Sequence, residues 1–384
     1  MTGILAVVYS VRTGIAHDQT WAAEIDLLLR GATATELMRL ENDYRSRHLS
    51  LRRLLVPPHV HEMPLNVDDL ELPADGTRTA VLALASLDRS GHLREAAVRE
   101  LARVRDDDLV LPFLLLRLND VVDPVRLLAA EGCRRWLEPE HVALLVRMLP
   151  LIDGLNTRRR AGPAARIMHD ALASGGDVTR AALWSAARTA EATVRASSLR
   201  LLSTAEPVET VRYAFTLGDP ALRRWAARVA VSRRLPNDQQ RALLPLLESD
   251  PNPRIRLCGL RARVKHPDAE AHLRRAVLDP DARVRYLARS TLRALGRPPS
   301  RQVYTDALEN PTGIDAIIGA LAGLSDIGTS RDLERLLPFL THPTARVRAE
   351  ACRAVAIIDP SALAARLDEL RMDPSAKVRR YSGG

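Results

Sequence analysis

The chain has 384 residues and a formal charge of +9; 46% of its side chains are apolar but only 3% are aromatic. Leu, Ala and Val must therefore fill the interior, which favours thin, closely packed helices and an all-α fold. No run approaches the roughly 18 apolar residues of a membrane span, and three distant cysteines, Cys133, Cys258 and Cys352, make no disulfide framework.

The N-terminus lacks a basic leader and a cleavage site, so no signal peptide is expected and a reducing, cytoplasmic setting fits. Residues 21–29 and 35–55 read as helical. Residues 57–77 read as an extended loop, with Pro57, Pro58, Pro64 and Pro73. Within it, His59, His61, Glu62, Asp68 and Asp69 match no metal-ligand spacing and read as solvated loop residues. Residues 1–76 follow no repeat and are expected to cap an open core face.

From residue 77 onward one phrase returns: an Asp-Pro turn, an aliphatic residue, Arg, then an Ala-rich helix. It reads DPVRLLAAEGCRRWL from Asp123, DPNPRIRLCGLRARV from Asp250, DPDARVRYLARSTLRAL from Asp279, HPTARVRAEACRAVAII from His342 and DPSAKVRR from Asp373. Degenerate copies start at Leu93, Thr193 and Asp219, with two weaker ones near Arg159 and Asp315. The recurrent position is held by Arg94, Arg126, Arg159, Arg195, Arg223, Arg256, Arg285, Asp315, Arg348 and Arg379. A period of about 32 residues suits two helices and two turns. The second helix carries a 3.6-residue apolar stripe, for example Val284, Leu287, Ala288, Leu292 and Leu295. Cys133 and Cys258 fall on such stripes, and Trp136, Trp184 and Trp225 fit core positions. The last copy begins at Asp373 and the chain stops at Gly384, which suggests a truncated or frayed final unit.

No pair can bury its own stripe, so neighbours must stack. The phrase resembles HEAT repeats, especially the short bacterial type seen in phycobilisome lyases. That resemblance implies an α-solenoid of about nine HEAT-like helix pairs over residues 77–384, with an irregular N-terminal cap over 1–76. It implies little about function. The recurrent Arg sits where the helix dipole disfavours a cation. A ladder of Asp–Arg pairs between units is the expected remedy.

No Gly-rich phosphate loop, nucleophile elbow, Cys-His arrangement or carboxylate pair is present, so no catalytic residue, metal or cofactor is expected. Charge is uneven: residues 1–110 carry net −4 and residues 219–301 net +11. Arg224, Arg228, Arg261, Arg263, Arg289, Arg293 and Arg297 lie along second helices, which line the concave face in HEAT-type solenoids. They form the candidate basic groove. The function expected is a non-enzymatic interaction scaffold for a protein partner, acidic in character. The alternative is a nucleic-acid binder, since HEAT-like alkylpurine DNA glycosylases cradle DNA on a basic face; none of their functional residues is matched here. A lyase-like role is the third reading.

Overall fold

A computed structural model describes residues 20–46, 55–56 and 70–381, and every regular element among them is helical. The chain divides into two compact units, residues 1–206 and 207–384.

Unit 1 begins with a helical hairpin, α1 (Thr20–Arg30) and α2 (Ala34–Ser46). Its turn is locked by a capping box: Glu36 accepts from the Thr33 backbone N–H at 2.9 Å, and Thr33 Oγ1 accepts from Glu36 N–H at 3.3 Å. The pairs α3 (Arg78–Ala85) with α4 (Gly91–Leu101) and α5 (Val110–Arg117) with α6 (Asp123–Arg134) follow. The next first helix is broken at Pro150 into α7 (Val142–Arg147) and α8 (Leu149–Asn156), and α8 pairs with α9 (Gly162–Ser174). The unit closes with α10 (Asp177–Thr189) and α11 (Ala192–Ala205). The hairpin packs α1 on α3, and α2 on α5 and α8. This explains why α5 is buried along its whole length, from Val110 to Arg117.

Unit 2 repeats the scheme: α12 (Pro207–Thr216) with α13 (Pro220–Ala230), α14 (Asn237–Glu248) with α15 (Pro253–Arg263), α16 (Ala269–Ala276) with α17 (Ala282–Ala294), and α18 (Gln302–Glu309) with α19 (Ile314–Ile327). Two pairs have irregular first members. α20 (Leu333–Leu336) runs into a 3-10 turn before α21 (Ala345–Ile358), and a 3-10 stretch precedes α22 (Leu367–Arg371) and α23 (Ala376–Tyr381). Second helices stack in order, α13 on α15, α15 on α17, α19 on α21 and α21 on α23. The expected stack of HEAT-like helix pairs is what both units contain.

The centre of the α17 stripe is buried, with Val284, Ala288 and Leu292 at most 2% exposed, as are Val347, Ala351 and Val355 on α21. Leu287 is half-buried, and Leu295, at the helix end, is 55% exposed, contrary to expectation. α17 stops in a Schellman turn. Gly296 takes φ 70°, which a glycine adopts without strain, and Arg297 N–H reaches the Leu292 carbonyl at 2.9 Å. Trp136 is core, 1% exposed. Trp184 and Trp225 are only half-buried. Trp184 lies at the surface, donating to Glu206 at 2.7 Å with Arg188 over its ring.

Candidate functional site

The arginines sort into two classes by position on their helices. In eight second helices the fourth residue is Arg: Arg94, Arg126, Arg195, Arg223, Arg256, Arg285, Arg348 and Arg379. The best-formed sites share one geometry. Arg256 Nη1 donates to the carbonyls of Asp250 and Pro251, six and five residues back, while Nε and Nη2 grip Asp279 of the next turn at 2.7 and 2.8 Å. Arg348 does the same with His342, Pro343 and Asp373, and Arg94 with Asp88, Arg89 and Asp120. The carbonyls and the carboxylate together offset the unfavourable dipole.

Each receiving Asp also builds its own turn. Asp279 Oδ1 accepts from Asp281 N–H at 2.7 Å, Asp120 Oδ1 from Val122 N–H at 3.0 Å, and Asp373 Oδ1 from Ser375 N–H at 2.7 Å. One carboxylate thus shapes a helix entry and receives the preceding repeat. Hydrogen bonds from Arg348 hold the Asp373 carboxyl below its ordinary range. Burial would raise Asp120, but the Arg94 hydrogen bond and the Arg117 charge outweigh it, with a net lowering. Arg117, fully buried, also pairs with Glu41 of α2.

The ladder corrects the sequence register. The Asp that matters lies six residues before the Arg, so Asp120, not Asp123, is the counterpart of Asp250 and Asp279. Arg159 sits in the turn before α9, whose fourth residue is the buried Ala165. Asp315 is the second residue of α19, exposed and paired with Arg346 at 3.0 Å; the fourth is Ile317.

The seven arginines of the expected groove separate likewise. Arg263 is 2% exposed and held by Glu248 at 2.8 Å and Asp268 at 3.1 Å, so it is packed beneath the surface. Arg289 joins Arg285 on Asp326, at 2.7 Å. Arg297 pairs with Glu270. Arg224, Arg228, Arg261 and Arg293 are exposed and form no ion pair among the described residues. Arg224 and Arg228 share one face of α13, and Arg261 occupies the equivalent place on α15. On α17, Arg293 lies two turns beyond Tyr286, which is 68% exposed. The strip stops at α19, where every residue from Ile317 to Ser325 is buried.

Two cavities accompany this arrangement. One of about 450 Å³ in unit 2 is lined by Glu248, Arg256, His272, Arg275 and Asp279, with Leu260, Leu278 and Val284 behind them. His272 Nδ1 lies 2.7 Å from Glu248 Oε2, and Nε2 lies 3.9 Å from Asp268, so the imidazole is held by carboxylates. The sequence reading missed this network because Glu248 and His272 stand 24 residues apart on separate helices. The other cavity, about 530 Å³ in unit 1, is walled by Ala32, Ala34, Ala143, Ala182 and Ala186 with Arg30 and Arg147 at its edge. Among the described residues no group of His, Cys, Asp or Glu is placed to hold a metal ion, and no helix is long and apolar enough to cross a membrane. His59, His61, Glu62, Asp68 and Asp69 lie outside the described residues. Cys133 is buried and burial pushes its thiol up to about 12; burial likewise raises Cys352 to about 11, and Cys258 is half-buried.

No family model and no curated relative matches the chain. Among solved structures, it is similar to the E. coli protein YibA, at 17% identity over 77% of this chain and 97% of that one, with a TM-score of 0.23. It is also similar to the karyopherin Kap121p bound to the extreme C-terminus of the phosphatase Cdc14p, at 13% identity over 99% of this chain and 49% of that one, with a TM-score of 0.32. The chain thus spans about half the length of that karyopherin. Neither is a phycobilisome lyase, and the fold assignment rests on the helix pairing itself.

Proposed function

We propose that the chain is a non-enzymatic protein-interaction scaffold that holds an acidic partner on the exposed arginines of α13, α15 and α17. The observation that carries this reading is the contrast between the two arginine classes. About half of the arginines of unit 2 are matched to carboxylates, whereas Arg224, Arg228, Arg261 and Arg293 stand exposed on neighbouring second helices with no ion pair among the described residues. A row of desolvatable cations steers and retains negative partners. Residues 1–76 serve in this reading as the cap of residues 77–384. Its support is that Arg30 grips Asp107 at 2.8 Å and Arg117 grips Glu41, tying both hairpin helices to the first repeats.

The test is fluorescence anisotropy with a labelled acidic peptide and a labelled DNA duplex, each at about 50 and 200 mM salt. The expected result is peptide binding that weakens by about tenfold in each of Arg261→Glu and Arg293→Glu, with thermal midpoints unchanged. Duplex binding tighter than peptide binding and lost steeply with salt would transfer the face to nucleic acid.

A further inference from the structure

Resting on that reading, we infer that the partner segment is an extended polyproline-II stretch carrying acidic residues three apart. Arg228 is the ninth residue of α13 and Arg261 the ninth of α15, while Arg293 is the twelfth of α17. α13 packs on α15 and α15 on α17. Packed helices lie about 8–10 Å apart, and the three-residue offset on α17 adds a lateral step of about 4.5 Å. Arg228, Arg261 and Arg293 therefore step by roughly 10 Å from helix to helix, with Arg224 one turn before Arg228 on α13. A polyproline-II chain presents every third side chain to the same side at about 9.3 Å intervals. A β-strand repeats on one face at about 6.7 Å, which misses this step.

A second observation selects the same conformation. Tyr286 is 68% exposed and shares a face of α17 with Arg293. Proline-rich segments dock against aromatic rings, and Tyr286 supplies one beside the arginines. The occupant is thus a protein segment of the pattern acidic-x-x-acidic-x-x-acidic with proline between the acids, lying across the three helices.

The experiment uses the full chain and three labelled peptides at about 50 mM salt. One nonapeptide has Glu at positions 1, 4 and 7 with prolines between. The second has the same composition with the three Glu adjacent. The third is a helical peptide with Glu seven apart, whose step of about 10.5 Å also approaches the spacing. The expected result is about tenfold tighter binding of the first peptide than of the second, with the preference removed by Arg261→Ala. Tyr286→Ala should weaken the first peptide alone, by a few-fold. Both residues are exposed, so an unchanged thermal midpoint shows that the variants fold. Equal affinity for the two nonapeptides overturns the spacing while leaving the acidic-partner reading intact. Tightest binding of the helical peptide overturns the extended conformation. No binding of any peptide overturns both readings.

Discussion

Between α15 and α17, Arg256 crosses to Asp279 and the two helix pairs are joined by charge. Between α19 and α21 the corresponding positions hold Ile317 and His342, so no rung of this kind forms; the guanidiniums that cross there come from α21, Arg346 to exposed Asp315 at 3.0 Å and Arg353 to the Ser325 hydroxyl at 3.1 Å. His342 keeps the turn, accepting from Thr344 N–H through Nδ1 at 3.1 Å, but offers no carboxylate to the preceding repeat. Apolar contact takes over: Ala320, Leu321 and Leu324 join Val347, Ala351 and Val355 in one core cluster. Gly319 and Gly323 let α19 close on the Leu278 carbonyl and the Tyr304 ring, where a Cβ would overlap either. Both members of the charged rung are missing at the same boundary. A stranded partner would be costly; where the next turn lacks the carboxylate but the Arg is kept, as at Arg285 before Pro311, the guanidinium turns to another one, Asp326 at 3.1 Å.

Removing a carboxylate from an intact rung should show the largest effect. Asp120→Ala takes the shared carboxylate from both Arg94 and Arg117, and should cost about 3–5 kcal/mol by urea denaturation, since both side chains are nearly sealed from water. Crowding α19 on the side that meets Leu278 should come next. Gly319→Ala forces α19 off Leu278 and should cost about 1–3 kcal/mol by the same measurement. A match between Gly319→Ala and wild type would mean that α19 does not sit as close as described.

Acid should act on charged rungs and spare the apolar boundary. Asp120 and Asp373 titrate lower when folded than when unfolded. Their contribution is therefore present above the unfolded carboxyl value, about pH 4, and is lost as pH falls through the folded values. Thermal midpoints should drop on acidification below about pH 4, and less so in Asp373→Asn. The smallest effect belongs to Asp315→Ala. Its pair with Arg346 is exposed on both sides, so the change should stay within about 0.5 kcal/mol.

The helix pairs were legible because burial enforces a 3.6-residue stripe that survives in nearly every copy. Arg as the first-turn residue was legible too, as was its need for a carboxylate. The identity of that carboxylate was not, because the Asp-Pro dipeptide at Asp123 looks like those at Asp250 and Asp279 while sitting three residues nearer its Arg. Only the turn geometry identifies Asp120. The candidate face was half legible. Its helices follow from charge density, but Arg263 and Arg261, two residues apart, have opposite fates. One points into the contact with α14 and α16 and is buried; the other faces solvent. Composition cannot separate them, and the phase of the helix within its pair does.

The division between structural and available arginines is tested most directly by the thermal midpoints of Arg256→Ala and Arg261→Ala measured side by side. Arg256→Ala should fall by about 5–10 °C, because Asp279 loses its partner and two carbonyls lose a donor. Arg261→Ala should stay within about 1 °C of the parent. Equal shifts in the two variants would contradict the division and, with it, the face assigned to the partner.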